Sequence, residues 1–203
     1  MLTTVPIWLG LFLAAVVSRF SDEGDLIARL RSRDPDALAE LYDRYSRVVF
    51  SLIVRVVRDR ATAEDLVQEC FLRVWNRVSA FDAERGSIGP WLLTIARNQA
   101  LDYVRSVEGR TWSTMVTTNT ERPNYFTEIE GDILNSVELK RVQQAVARLT
   151  DKQRELIELA YFEGLTQSEM AERLGQPLGT IKTWMRAALK ILREQASAPA
   201  AQA

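Results

Sequence analysis

Histidine is absent from this 203-residue sequence, and cysteine occurs once, as Cys70. The lack of histidine excludes a histidine general base and a catalytic triad of the Ser-His-Asp type. Together with the single cysteine, it also excludes zinc sites built from cysteine and histidine, and one cysteine cannot form an internal disulfide bond. This cysteine usage fits the reducing cytoplasm, where we expect the protein to reside.

Glycine and proline are also few, with nine and six residues, and strand-like alternation of apolar and polar residues is scarce. Long stretches instead repeat apolar residues with the 3.6-residue period of an α-helix. With 47% hydrophobic and 26% charged residues, the composition is that of a globular protein. The sequence therefore predicts an all-α protein of two small helical domains joined by a flexible linker.

No charged residue occurs in the N-terminal stretch VPIWLGLFLAAVV, which spans 13 residues from Val5 to Val17. A membrane-spanning helix needs about 20 apolar residues, and a signal peptide would begin with basic residues that are missing here. Two interpretations of the apolar extension 1–20 stay open. It is either a stray upstream extension or a short helix that packs on the protein or touches a membrane.

Residues 21–107 have the pattern of a helical domain. Asp34 and Pro35 predict a helix start, with an N-cap aspartate followed by proline at the first helical position. Thr62 and Asp65 form a T-x-x-D capping signature, which predicts the start of the next helix. The apolar residues on one face of that helix are Val67, Cys70, Phe71, Val74 and Val78.

The helical pattern is interrupted between this helix and the C-terminal part of the chain. Two glycines break it in SAFDAERGSIG, and Pro90 predicts the start of a further helix. Residues 108–132 are rich in Thr, Asn and Glu without any period, which predicts the linker. Residues 133–195 are helical again, and residues 196–203 form a tail of small residues.

Two helices joined by a short turn are predicted near the C-terminus. Thr166 and Glu169 form a capping box for the first helix, which ends at Gly175, and Thr180 is the predicted N-cap of the second. This arrangement is typical of a helix-turn-helix, whose second helix enters the major groove of DNA. The residues predicted to face the core are Ile181, Met185, Ala188 and Leu192. Those predicted to face outward are Lys182, Thr183, Arg186 and Lys190.

Positive charge is concentrated in this helix pair. Five Lys/Arg and no acidic residue occur from Arg173 to Arg193, whereas the whole chain has 26 Lys+Arg against 27 Asp+Glu. The charge of one sign favours DNA binding over the alternative, an amphipathic helix pair with a solvated charged face. Because the chain as a whole has no net positive charge, it should bind DNA weakly by itself and act within a larger DNA-binding assembly.

Two motif blocks give the chain a specific resemblance. The blocks AEDLVQECFLRVWNRVSAFD…WLLTIARNQALDYVR and LTDKQRELIELAYFEGLTQSEMAERLGQPLGTIKTWMRAALKILRE are similar to regions 2 and 4 of sigma-70 family factors of the extracytoplasmic-function (ECF) group. The resemblance covers roughly residues 21–107, as region 2, and 133–195, as region 4. It implies an alternative sigma factor, which binds core RNA polymerase and recognises the −35 and −10 promoter elements.

The resemblance implies two sites in region 2. The residues that would bind a coiled coil of the largest polymerase subunit are Asp65, Gln68, Glu69 and Leu72. The residues at or beside the positions that capture the single-stranded −10 element are Phe81, Arg97, Asn98 and Arg105. An aromatic ring near an amide suits this task, because bases stack on rings and amides read base edges. Core packing is the alternative for Phe81 and Trp91, and for Trp91 it is the favoured interpretation.

In region 4, the resemblance implies a site for the duplex −35 element. The base-reading residues would be Lys182, Thr183 and Arg186, since Lys or Arg to guanine is the commonest specific contact. Ser168 and Thr180 would hold phosphates through hydroxyls and helix N-terminal amides. Trp184 departs from the family, in which many members have arginine there, so a phosphate contact would be either lost or exchanged for an apolar contact with a thymine methyl.

These observations bear on three possible classes of function. A sigma factor would need no catalytic residue, metal or cofactor, and the family implies an anti-sigma partner, often a membrane-bound one. A stand-alone helix-turn-helix regulator with a helical sensor domain is the alternative, and would bind DNA without polymerase. The DLVQE and IARNQALDYVR motifs disfavour that alternative. A membrane-tethered protein has support only from residues 5–17.

Overall fold

A computed structural model describes residues 23–111 and 145–197 of the chain. The described residues form α-helices and short 3₁₀ turns without a strand, in two compact units, which confirms the all-α fold of two helical domains. The extension 1–20, most of the predicted linker and the end of the tail lie outside these residues. Within the described ranges, no helix is both long enough and apolar enough to cross a membrane.

The described residues of the first unit form four helices and two 3₁₀ turns. The helices are α1 (Glu23–Arg31), α2 (Pro35–Val57), α3 (Arg60–Arg77) and α4 (Ile88–Thr111). The 3₁₀ turns, Val78–Ala80 and Ala83–Arg85, occupy the predicted break between α3 and α4. Helix α4 begins two residues before Pro90 and continues past residue 108, where the linker was predicted to begin.

Capping aspartates begin two of these helices. Asp34 accepts a hydrogen bond from the Asp36 backbone N–H at 3.0 Å and is followed by Pro35 in the first turn, so the predicted start of α2 is confirmed. The predicted start of α3 is wrong. Asp59 is its N-cap and accepts a hydrogen bond from the Thr62 backbone N–H at 2.7 Å, which places Thr62 inside the first turn.

The core of the first unit lies where α2 packs against α3 and α4. Leu41, Tyr45 and Val49 of α2 are buried, as their helical spacing indicates. Tyr42 lies at the edge of this stripe, where it remains 42% exposed while its ring packs 4.9 Å from that of Phe71. The buried residues of α3 include all of the predicted face: Val67, Cys70, Phe71, Val74 and, in the following turn, Val78.

In the second unit, the helices whose two ends both lie within the described residues are α5 (Asp151–Tyr161), α6 (Gln167–Leu174) and α7 (Leu178–Ser197). The predicted capping box of α6 is confirmed: Glu169 N–H donates to the Thr166 hydroxyl at 3.2 Å, and Thr166 N–H donates to the Glu169 carboxylate at 2.6 Å. A second capping box, between Thr150 and Gln153, begins α5 and was not predicted.

The turn between α6 and α7 contains one confirmed prediction and one correction. Gly175 ends α6 at φ +60°, in the left-handed region that favours glycine. Thr180 is not the N-cap of α7, because the helix already begins at Leu178 and the Thr180 N–H donates to the Pro177 carbonyl at 2.9 Å. The four residues predicted to face the core are all buried: Ile181, Met185, Ala188 and Leu192.

Candidate nucleic-acid and partner interfaces

Helix α7 presents a basic face on the side opposite its buried residues. Lys182, Thr183 and Arg186 are exposed, as the helical spacing predicts. Among the described residues, neither Lys182 nor Arg186 forms an ion pair, so both cations are available to a ligand. The Thr183 hydroxyl donates to the Gly179 carbonyl at 2.9 Å and keeps its lone pairs free to accept. Trp184 is half-buried, so only part of its ring can reach DNA.

The two hydroxyl residues assigned to phosphates lie in the first turns of α6 and α7. Ser168 is exposed and Thr180 is half-buried. Helix N-termini carry unpaired backbone N–H groups and a partial positive charge, and both favour anions. Although Thr180 is not an N-cap, its place in the first turn of α7 remains compatible with a phosphate contact.

Helix α3 exposes a second candidate surface, which we call the α3 face and define as Asp65, Gln68, Glu69 and Leu72. All four side chains are exposed, and they lie on the side of α3 away from buried Val67, Phe71 and Val74. Leu72 is 57% exposed, the highest exposed fraction among the large hydrophobic side chains of the described residues. Exposed leucine beside two carboxylates forms an acidic, partly apolar surface.

The loop between α3 and α4, residues 78–87, holds Phe81 against the rest of the first unit. Its side chain is only 5% exposed, and its ring packs 5.2 Å from that of half-buried Trp91. Phe81 thereby anchors the loop to the core. That its ring captures a base of the −10 strand stays a prediction.

Of the three polar residues predicted to bind the −10 strand, Asn98 and Arg105 are exposed but Arg97 is buried. Arg97 Nη1 donates to the Asn98 side-chain oxygen at 3.3 Å, so the buried guanidinium helps to orient the amide. Because arginine can only donate, this bond leaves the Asn98 NH₂ group as the end that points to a ligand.

Three charged residues contact the loop or its flanking residues, and sequence reasoning missed them. Glu23, Arg31 and Arg33 reach backbone atoms of residues 88, 81 and 75, which are 65, 50 and 42 positions away in the chain. No local sequence pattern predicts these contacts, because helical periodicity and capping motifs relate only residues a few positions apart.

Two family models match the two parts of the chain that carry these surfaces. The family model for Sigma-70 region 2 matches residues 41–111, and that for Sigma-70 region 4 matches residues 139–192. The first match includes the α3 face and the loop, and the second includes α5, α6 and most of α7.

The full-length relatives are similar over most of the chain. The ECF RNA polymerase sigma factor SigK of Mycobacterium tuberculosis is 38% identical over 174 residues, which are 85% of this chain and 92% of that protein. The SigK of Mycolicibacterium vanbaalenii is 37% identical over 171 residues, covering 83% and 86% of the two chains.

Among solved structures, Rhodobacter sphaeroides SigE in complex with the anti-sigma ChrR is 27% identical over 86% of this chain and 97% of that one, with a TM-score of 0.43. The assignment rests on the sequence matches to both regions and to the full-length relatives. The chain belongs to the sigma-70 family, and within it to the ECF group of alternative sigma factors, which direct transcription.

Proposed function

We propose that this sigma factor docks on core RNA polymerase through the α3 face, captures the −10 strand with the loop 78–87 and α4, and reads the −35 duplex with α7. The basic outward face of α7 carries the proposal. Lys182 and Arg186 are exposed without ion-pair partners among the described residues, on a helix whose opposite face is buried. Such a helix can enter a major groove without losing core packing.

Charge and exposure support the α3 face as the polymerase-binding surface. Leu72 would lose its exposed apolar area on docking, which favours association. Asp65 and Glu69 would pair with a basic partner helix and fix its register. The first turn of α3 holds no acidic residue, so complementing the helix dipole explains neither Asp65 nor Glu69. Glu69 forms an ion pair with Arg73, but its side chain remains exposed and available to a partner.

The orientation of Asn98 supports base recognition at the −10 element. Its oxygen accepts from Arg97, so its NH₂ group offers donors to acceptor atoms on a base edge. Exposed Arg105, two turns further along α4, is placed to contact the backbone of the same strand. These exposed donors lie beside the loop 78–87, and such an arrangement suits the binding of single-stranded DNA.

Three wider properties belong to the same proposal. The chain acts by binding and has no catalytic residue or cofactor of its own. It works in the cytoplasm, where core polymerase and the chromosome are found. An anti-sigma protein, membrane-bound in many family members, holds it inactive until a signal arrives.

Run-off transcription tests the proposal directly. Core polymerase is incubated with a genomic promoter library, with and without the chain, and the transcript ends are mapped. We expect new start sites that share −35 and −10 sequences at a fixed spacing. If core polymerase is not redirected, and the chain alone binds duplex DNA with sequence specificity, the protein is a stand-alone regulator and the proposal is wrong.

A further inference from the structure

The loop 78–87 is held in place by contacts from outside itself. Arg31, at the end of α1, donates from Nη2 to the Phe81 carbonyl at 2.7 Å. Arg33, in the turn that follows, donates from Nη1 to the Trp75 carbonyl at 2.7 Å, and its guanidinium lies 5.1 Å from the centre of the Trp75 ring. The loop is thereby fixed at its middle and at the end of the helix that precedes it.

The start of α1 fixes the other end of the loop. Glu23 Oε2 accepts a hydrogen bond from the Ile88 backbone N–H at 3.1 Å, at the first residue of α4. A carboxylate in this place also complements the partial positive charge of the α4 N-terminus. The other Glu23 oxygen accepts from the Tyr45 hydroxyl at 3.4 Å, which ties this contact to the core of the unit.

The segment that makes these contacts is itself anchored to α2. Arg29 donates from Nε to Asp34 Oδ2 at 2.7 Å and from Nη1 to Glu40 Oε2 at 2.9 Å. Arg33 adopts φ +65°, a left-handed conformation that turns the chain sharply between α1 and α2. Residues 23–33 therefore form a fixed support, which we call the brace, and not a loosely attached N-terminal helix.

The loop also has hydrogen bonds of its own. Two of them belong to tight turns, from Phe81 N–H to the Val78 carbonyl at 3.1 Å and from Glu84 N–H to Asp82 Oδ1 at 3.1 Å. Ordering a loop costs conformational entropy at each residue, so contacts from a neighbouring element decide how often the loop keeps one shape.

We propose that Glu23, Arg31 and Arg33 are positioning residues that keep the loop 78–87 in the shape required to capture the −10 strand. The inference rests on the proposed function of the loop. The brace raises the fraction of molecules whose loop is competent to bind, and the apparent affinity for the strand rises in proportion to that fraction. None of the three side chains needs to contact DNA.

Holoenzymes with Arg31→Ala or Arg33→Ala test this role. The probe is a labelled single-stranded oligonucleotide that carries the −10 element of a promoter used by the wild-type holoenzyme. We expect about tenfold weaker binding for each variant, which is the order of effect of one lost charge-assisted hydrogen bond. Arg31→Lys should restore part of the affinity, because lysine can still donate to the Phe81 carbonyl.

Salt dependence separates positioning from direct contact. A side chain that contacts a phosphate contributes about 0.7 to the slope of log affinity against log salt for single strands. We therefore expect the slope to stay unchanged in Arg31→Ala and Arg33→Ala, although the affinity falls. A slope reduced by about 0.7 would identify a phosphate contact and overturn the positioning role.

Matched control measurements exclude other causes of weaker −10 binding. Arg47→Ala removes an exposed arginine of α2 and should leave −10 binding unchanged. Core binding and the circular dichroism spectrum should be those of the wild type, and if Arg31→Ala does not fold, Arg33→Ala and Glu23→Gln replace it. Unchanged −10 affinity in a folded brace variant overturns the inference. Failure of the wild-type holoenzyme to bind the oligonucleotide instead contradicts the proposed function.

Discussion

Lys182 is the single residue on which −35 reading should depend most. It is exposed near the N-terminal end of α7, where recognition helices contact base edges. Lys182→Ala should weaken transcription from promoters that need the −35 element by about ten- to hundredfold, because one specific base contact contributes roughly 1–3 kcal/mol. Run-off yields on matched promoters with and without a −35 element would measure this loss.

Lys152 provides the control for that substitution. It is an exposed lysine of the same unit but lies on α5, outside the helix-turn-helix. Lys152→Ala removes the same charge and should leave the −35 dependence unchanged. An equal loss in both variants would mean that overall charge, and not a specific contact, supports binding.

Glu158 makes the stability of the second unit depend on pH. Burial raises the pKa of its carboxyl group from 4.5 to about 7, opposed by Arg154 and assisted by Glu163. Its Oε1 atom is buried and has no hydrogen-bond partner among the described residues. The folded state therefore holds this proton more tightly than the unfolded state does, and the free energy of unfolding falls as pH rises from about 4.5 to about 7.

Glu158→Gln should remove this pH dependence, since a neutral amide has no proton to lose. Thermal unfolding between about pH 5 and pH 8 should show the variant gaining stability relative to the wild type as pH rises, with little further gain above about pH 7. Glu172→Gln, at an exposed position of α6, serves as the control and should follow the wild-type curve. A constant difference in Tm across this range would contradict the role of Glu158.

At the scale of elements, the turn of the helix-turn-helix depends on a glycine in one conformation. Gly175 ends α6 at φ +60°, and no heavy atom lies within 4 Å of the position that a Cβ would occupy. Gly175→Ala should thus cost only the backbone penalty of the left-handed conformation, about 1–2 kcal/mol. Denaturant unfolding would show this as a lower midpoint with an unchanged slope.

Gly179 offers a matched comparison only four residues away. It lies in the first turn of α7, without a positive φ, and a Cβ there would also meet open space. Gly179→Ala should raise the stability by about 0.5–1 kcal/mol, because alanine restricts the unfolded chain and favours the helix. If both alanine substitutions changed the free energy of unfolding in the same direction, the backbone explanation would be contradicted.

At the scale of the whole molecule, the charge distribution matches a subunit that acts inside a larger assembly. The chain carries 26 Lys+Arg against 27 Asp+Glu, yet positive residues alone occupy the stretch from Arg173 to Arg193. The acidic α3 face and the basic α7 face therefore suit opposite partners, one a basic protein surface and the other DNA. Because the net charge gives little attraction to phosphates, we expect polymerase to supply most of the DNA affinity.

Glu69→Lys tests the assembly step. The substitution reverses charge at the centre of the α3 face and should weaken core binding at least about tenfold, since like charges across an interface cost several kcal/mol. Folding should be spared, because Glu69 is exposed and its ion pair with Arg73 contributes only about 0.3–0.5 kcal/mol. Holoenzyme formation is measured by fluorescence titration with labelled sigma factor.

Asp43→Lys is the control for this charge reversal. Asp43 is an exposed acid of α2 outside the α3 face, and its reversal should leave core binding intact. If Glu69→Lys unfolds the chain, or binds core as well as Asp43→Lys does, the α3 face is not the polymerase contact.

The sequence by itself determined the helices, the division into two units and the family. Caps and apolar faces relate residues within about four positions, so Asp34, Thr166 and the buried stripe of α7 were predicted correctly. The same local patterns failed where a competing cap existed nearby. Thr62 matched a capping signature, but Asp59 caps the helix three residues earlier.

The tertiary structure alone decided which of the region 2 residues are exposed. Phe81 and Arg97 resemble ligand-binding residues in sequence, but the fold buries both and leaves Asn98 exposed. The contacts of Arg31 and Glu23 with the loop join residues 50 and 65 positions apart. Burial and long-range hydrogen bonds arise only when the helices pack together, and for that reason no local sequence motif predicts them.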